Sequence, residues 1–301
     1  MKIYRYNQGM PCLEGERVVA LGFFDGVHIG HRRLLAMGRT EAEARNIPFA
    51  VFTFYDSVAI KRDTGRLYSD DEKLFLLQEC GVDEVIIANF EELKDLSPES
   101  FVRDLLRKVC GARVAVVGKD FRFGKGASAD AAELSALMES CGDKATVIDD
   151  VTLFSKKVSA SAIKEYLRSG DIVRANEMLG APYFIMAKVE HGRGVGKALG
   201  FPTLNCSLDG RRDVLRRGVY RAQLTIDDKT YEALTNIGTC PTFPEREEHA
   251  ETYILGFDGE LYGEGVRINL LNFLRDEIRF SSENDLKTQI NIDIQTVKNH
   301  K

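Results

Sequence analysis

The chain has no C-x-x-C pair, no apolar run long enough to span a bilayer and no surplus of basic residues. Each absence removes a class of function. The six cysteines, at 12, 80, 110, 141, 206 and 240, are scattered, which argues against a zinc ribbon or a redox dithiol. Lysine and arginine number 41 against 46 acidic residues, a net charge of −5, so there is no electrostatic footprint for bulk nucleic-acid binding. Without a membrane-length apolar segment, no membrane partner is expected. The opening residues, MKIYRYNQGM, carry no apolar core of a secretory signal. Free thiols in a reducing cytoplasm are the expectation.

What is present is ordinary for a globular protein, 44% hydrophobic and 29% charged, and 301 residues suit two domains. The first half alternates strand and helix. Apolar runs at 18–21, 49–54, 85–88, 114–117 and 145–148 read as strands, with helices between them. Ser69 opens one helix with a capping box, and Ser97-Pro98 opens another that Gly111 closes. That order predicts a parallel, doubly wound α/β sheet with ligands at the carboxyl ends of its strands. Ala181-Pro182 marks a boundary. Beyond it the period changes to consecutive strands, including 231–234 and 251–255, with turns at Asp227-Asp228 and Asp258-Gly259, which predicts an antiparallel sheet or barrel. A last helix places Leu286, Ile290, Ile294 and Val297 on one face. The expected domains are 1–182 and 183–301.

GFFDGVHIGH, at 22–31, follows the first strand and holds Gly22, Phe24, Asp25, Gly26, His28, Gly30 and His31. A strand-to-helix turn aims free N–H groups at whatever sits above it, and small glycines let a triphosphate come close. The alternatives are structural histidines or a metal pair, and no further Cys or His stands nearby at ligand spacing. GKDFRFGKG, at 118–126, follows the fourth strand across the expected switch point. Asp120 there suits a ribose or a base edge, and Phe121 and Phe123 either stack or pack. Ser159, Ser161 and Lys164, in VSASAIK, suit a phosphate clamp at a helix start, with Ser161 taken alone better suited to an N-cap than to a ligand.

The second half contains HGRGVGKALGFPTLN, at 191–205. It is not a P-loop: the spacing before Gly196-Lys197 is one residue short, and Ala198 stands where Ser or Thr would be needed. What is left is a glycine arch through Gly192, Gly194, Gly196 and Lys197 to Gly200 and Pro202. It is followed by Thr203 and Asn205, whose alternation lets both oxygens face one hard cation. Glu251 is expected to begin an apolar strand, either solvated or as a general base aimed at an alcohol.

Together these motifs resemble the prokaryotic bifunctional riboflavin kinase/FAD synthetase family over nearly the whole chain. GFFDGVHIGH resembles its adenylyltransferase signature, GKDFRFG and VSASAIK its further nucleotide motifs, and LGFPTLN its kinase motif. Segments around Asn236, Glu251 and Tyr262 resemble its flavin and catalytic segments. The resemblance implies a Rossmann-like nucleotidyltransferase domain followed by a small β-barrel kinase. Thr203 and Asn205 would hold Mg2+ with ATP, and Glu251 would deprotonate riboflavin. His28 and His31 would stabilise charge as FMN attacks a second ATP. Asn236 would contact the flavin, and Tyr262 and Phe243 are aromatic candidates to stack on it. A monomer or weak self-association is expected.

The departures lie mostly in the first half. Lys164 replaces a usual arginine, Ala127 and Ala129 stand where the family often has Arg and Gly, and 52–60 lacks a proline-rich turn; Lys197 replaces an arginine in the kinase motif. They leave open a kinase alone, with the first domain as scaffold. A flavin- or nucleotide-binding regulator without turnover is a third reading, against which the intact Glu251 argues.

Overall fold

The computed structural model describes residues 1–7, 9–54, 65–192, 196, 199–208, 214–239 and 248–299. Contacts divide the chain into two compact units, Met1–Thr64 with Asp70–Ala160, and Gly65–Ser69 with Ser161–Lys301.

The first unit is built on β1 (Lys2–Arg5), β2 (Arg17–Leu21), β3 (Phe49–Phe54), β4 (Glu84–Ala88), β5 (Ala112–Gly118) and β8 (Lys144–Ile148). They form one sheet in the order β1-β4-β3-β2-β5-β8, with every pairing parallel. β2 and β4 are buried at all five positions, as strands covered on both faces must be. Helices α1 (Ile29–Arg45), α2 (Asp70–Glu79) and α5 (Ala131–Ser140) make crossovers. The chain steps from β2 to β3 to β4, then returns to lay β5 on the other side of β2. That reversal opens a crevice at the carboxyl ends of β2 and β5.

The expected parallel sheet is therefore present, with one strand more than the sequence pattern shows. β1 was missed because KIYR is mostly exposed and has no apolar run. Short helices α3 (Phe90–Leu93) and α4 (Pro98–Ser100) lie between β4 and β5. Ser97 caps α4 as expected, its Oγ accepting from the Ser100 N–H at 3.2 Å, but the segment continues as a π-helix over Phe101–Val109. Two small hairpins were also illegible: β6 (Arg122–Phe123) with β7 (Ala129–Asp130), and β9 (Thr152–Leu153) with β10 (Lys156–Lys157).

In the second unit, α6 (Ala160–Ser169) and α7 (Ile172–Leu179) precede β11 (Tyr183–Lys188), β12 (Thr203–Ser207), β13 (Gly218–Ile226), β14 (Lys229–Thr239), β15 (Glu248–Ile254) and β16 (Gly265–Arg275). The sheet order is β11-β16-β13-β14-β15-β12, all antiparallel. Asp227 and Asp228, at φ 45° and 62°, make the two-residue turn between β13 and β14. α8 (Glu283–Asn299) closes the unit, with Ile294 and Val297 packed against Val219 and Leu234. α7 packs against β11 and β16, so the contacts divide the chain before α6, whereas the change of period falls after α7. One expectation is corrected: Glu251 does not begin its strand but sits at the fourth position of β15, because pairing with β14 starts upstream at Glu248.

A buried ion pair fastens the first sheet. Arg17 Nε bonds Glu84 Oε2 at 2.5 Å, with the side chains 5% and 7% exposed, joining β2 to β4 across β3. Arg17 also donates to the Glu14 and Gly15 carbonyls at 3.0 and 3.1 Å. Breaking a buried pair strands a charge, whereas removing both partners does not. Arg17→Met is expected to destabilise the first unit by about 3 kcal/mol in urea unfolding, and Arg17→Met with Glu84→Met by less than that single change.

Candidate functional site

At the carboxyl end of β2 the backbone turns sharply. Phe24, Gly26 and Val27 have φ of 53°, 89° and 40°, and Phe24 and Val27 are fully buried. Such conformations are costly for side-chain-bearing residues and persist where packing dictates them. Thr53 Oγ1 donates to the Phe23 carbonyl at 3.1 Å and holds the turn to β3. His28 is the N-cap of α1: its Nδ1 accepts from the His31 N–H at 3.3 Å. Gly30 is small for this reason, since a Cβ there would stand 3.2 Å from that Nδ1.

The two imidazoles stack at 3.7 Å with 13° between their planes, and the Phe24 ring meets His31 edge-on at 5.2 Å. Burial pushes the His28 imidazole down to about 4, against the opposing pull of Asp25. Burial, then the neighbouring His28, pushes His31 well below the ordinary histidine range. Both are neutral at neutral pH. Because Nδ1 of His28 is an acceptor, its proton sits on Nε2, which is then a donor. His31 Nδ1 is buried without a hydrogen-bond partner.

A cavity of about 260 Å³ gathers Asp25, His28, Gly30, His31, Asp120 and Ser159, all nominated from sequence. Its only cation among the described lining residues is Lys157, which sequence reasoning missed. Lys157 Nζ bonds Asp120 Oδ2 at 2.7 Å and Asp150 Oδ1 at 2.8 Å. Its one legible sign is its place next to Val158, where the VSASAIK segment begins. Ser161 and Lys164 belong to the second unit on α6, Ser161 exposed and Lys164 buried. Gly22 packs under the Phe24 ring.

His31 and Asp120 also line a second cavity, of about 840 Å³, in the same unit. Its walls include Phe23, Phe54, Phe90, Phe101, Phe121 and Phe123. Phe23 and Phe54 have ring centroids 4.8 Å apart, and Phe121 stacks on Phe123 at 5.7 Å. Phe123, nominated for nucleotide, is buried in this aromatic wall. The size suits a bulky planar ligand. Ala127, at φ 55°, lies on its rim.

In the second unit, strand pairing aligns a row of residues. Asn205 is opposite Glu251, Glu251 opposite Asn236, Asn236 opposite Val219, and Val219 opposite Arg275. Directly paired residues point to one face, so Glu251 stands between two amides. Thr203, Asn236 and Glu251 line a cavity of about 290 Å³ on that face, whose far wall includes Leu286 and Ile290 of α8. The glycine arch is shaped by its neighbours. A Cβ on Gly192 would overlap the Asn205 amide, and one on Gly196 would overlap the Phe201 carbonyl. Gly200 has φ 86° and precedes Phe201 and Pro202, and the Phe201 N–H donates to the Gly196 carbonyl at 2.8 Å. Gly194, Lys197 and Phe243 lie outside the described residues. Tyr262 is half exposed and stacks on His191 at 4.1 Å, apart from the residues lining the cavity.

One unit thus carries a neutral histidine pair at a strand reversal, and the other a carboxylate flanked by amides. Fold and sites together define a nucleotide-dependent transferase with a Rossmann-like unit and an antiparallel barrel-like one. A riboflavin kinase family model matches residues 179–301, and a FAD synthetase model matches residues 12–162. The bifunctional riboflavin kinase/FMN adenylyltransferase of Escherichia coli K12 is 34% identical, covering 99% of this chain and 97% of its own. That of Bacillus subtilis is 32% identical over 94% and 92%. The crystal structure of a macrolide-efflux protein from Streptococcus pneumoniae matches with a TM-score of 0.89 at 26% identity, covering 100% of both chains. The chain belongs to the bifunctional riboflavin kinase/FMN adenylyltransferase family. Both domains are present, which favours two activities over a kinase with a degenerate partner. No described helix is long and apolar enough to cross a membrane.

The histidine pair makes stability depend on pH. An unfolded histidine takes its proton near 6.5, but folded His28 does so only near 4. The unfolded state therefore binds more protons between these values, and stability falls as the pH drops through them, by up to about 1.4 kcal/mol per pH unit for each histidine. Unfolding free energies measured from pH 7 to 5 should show this decline, and His28→Asn, which keeps a capping acceptor, should reduce its slope.

Proposed function

We propose that the chain phosphorylates riboflavin to FMN in the barrel-like unit and adenylylates FMN to FAD in the Rossmann-like unit, with the functional division near residue 182. The observation that carries this reading is that each unit has its own cavity at the point where its own motif ends. A reducing cytoplasm, where the described cysteines stay free, suits it, as does a monomer or a weakly associated chain without nucleic-acid or membrane partners.

In the kinase reaction the Glu251 carboxylate takes the proton from the riboflavin 5′-hydroxyl. The oxygen then bonds to the γ-phosphorus of ATP, the bond to the bridging oxygen breaks, and ADP leaves. Such transfers depend on alignment and charge neutralisation more than on covalent chemistry. Asn205 and Asn236, on either side of Glu251, orient the alcohol and the nucleotide. The oxygen donors fit magnesium: Asn205 Nδ2 donates to the Thr203 carbonyl at 3.3 Å, leaving the amide oxygen and the Thr203 hydroxyl as ligands. Among the described residues there is no group of three or more His, Cys, Asp or Glu side chains that could hold a metal. When bound, Mg2+ supplies charge neutralisation on the phosphates.

In the adenylyl transfer the FMN phosphate oxygen bonds to the α-phosphorus of a second ATP, and pyrophosphate leaves. The aromatic cavity holds the isoalloxazine, and its shared wall with the histidine cavity brings the phosphate to the nucleotide. His28 Nε2–H donates to the phosphate oxygens as a neutral group. Lys157 and the Ser159 hydroxyl offset charge, and Asp120 takes the ribose. Gly22, Phe24, Asp25, Gly26 and Gly30 shape this turn.

His28→Ala is expected to cut FAD synthesis at least about 100-fold and to leave FMN formation within about twofold. Glu251→Gln should do the reverse, with FAD still formed from added FMN. Chromatographic separation of flavins over time, with riboflavin, ATP and Mg2+, reads both. Wild-type FMN that accumulates without FAD, or no FMN at all, would overturn the corresponding half of the reading.

A further inference from the structure

The row that carries Glu251 ends at Arg275, and Arg275 is held from outside the sheet. Its Nε lies 3.1 and 3.0 Å from the two carboxylate oxygens of Asp293 on α8, and its Nη2 lies 2.7 Å from Oδ2. Nη1 donates to the Asp276 carbonyl at 3.0 Å. Gln289, one turn earlier on α8, donates to Asp293 Oδ1 at 2.9 Å. The Arg275 and Asp293 side chains are 19% and 7% exposed, and both line the cavity that contains Glu251.

We propose that Asp293 is a positioning residue for riboflavin phosphorylation: it fixes Arg275 so that a charge-compensated guanidinium presents N–H donors to the acceptor oxygens of neutral riboflavin. The proposal rests on the kinase reading of this cavity. A guanidinium has five N–H groups. The bonds above use one each on Nε, Nη1 and Nη2, which leaves one donor on each terminal nitrogen. These two donors are locked in one plane by the two-oxygen grip of Asp293.

The pair is placed where apolar packing would be simpler. α8 rests on the sheet through Ile290, Ile294 and Val297, and an ion pair buried among such residues carries a desolvation cost that apolar side chains would not. Two irregularities in the β13–β16 register, between Val219 and Tyr220 and between Arg221 and Ala222, bring Arg275 opposite Val219 and so into the row. Bulges of this kind re-aim side chains beside functional sites. Compensation of the charge also matters for turnover. A bare cation in the cavity would hold the anionic product FMN more tightly than neutral riboflavin, whereas the compensated pair favours the substrate.

Asp293→Asn keeps the size of the side chain and removes its charge. The expected result is a rise in KM for riboflavin of about tenfold with kcat changed less than threefold. Product inhibition by FMN should tighten at the same time, because the cavity loses one negative charge and Arg275 is left without its counter-ion. Asp293→Glu should recover much of the lost KM, and FAD formation from added FMN should be unchanged throughout. A merely structural role would weaken riboflavin and FMN together, and that parallel loss, or unchanged kinetics, overturns the proposal. If Asp293→Asn does not fold, Arg275→Lys decides, since it keeps the charge and loses the planar fork. A raised riboflavin KM supports the proposal and an unaltered one ends it. A wild-type protein that cannot phosphorylate riboflavin would instead remove the kinase reading itself.

Discussion

The bond from the His31 amide to the Nδ1 of His28 governs the first unit. It satisfies one of the free donors at the start of α1, and so lets a buried central strand pass directly into a helix. The same bond sets the proton of His28 on Nε2. A residue that begins a helix thereby becomes a donor facing the crevice where the strand order reverses. The left-handed Phe24 and Val27 and the small Gly30 make this handover possible, and burial keeps both imidazoles neutral. The site is thus prepared to donate hydrogen bonds rather than to hold fixed positive charge. Its cation comes from elsewhere, from Lys157 on β10.

The second unit reaches a comparable result through pairing register. No helix N-terminus is needed where five neighbouring strands present their residues in line. Asn205, Glu251 and Asn236 come from segments far apart in sequence and meet because β12, β15 and β14 are adjacent. The glycine arch then folds against that row, with Gly192 vacant because the Asn205 amide occupies the space a side chain would take. Both units gather their nominated groups on a rigid sheet, at the ends of its inner strands in the first and across its face in the second, so the backbone fixes direction and a few side chains supply the groups.

Much of this was legible from local pattern. The buried runs of β2 to β5, the capping signals and the change of period each report short-range physics, and the structure agrees with them. The histidine pair and the Thr203–Asn205 alternation were legible for the same reason, since each is set within a few residues. β1 escaped because an exposed edge strand needs no apolar run. The aromatic cavity escaped because its phenylalanines come from five separate segments, each of which reads alone as ordinary core. Lys157 escaped because a lysine before a motif resembles a solvated surface residue until Asp120 and Asp150 close on it. Glu251 was nominated, but its position within β15 was not, because strand ends are set by the partner strand.

The sequence by itself determined the two-part architecture, the family and which groups were nominated for the chemistry, because hydrophobic period, turn residues and short motifs act over a few positions. Only the tertiary structure decided which groups share a cavity, which imidazole nitrogen carries the proton, and that Arg275 ends the row of Glu251 under the grip of Asp293. Those outcomes depend on pairing register, bulges and burial, and each is a relation between distant residues that no local pattern encodes.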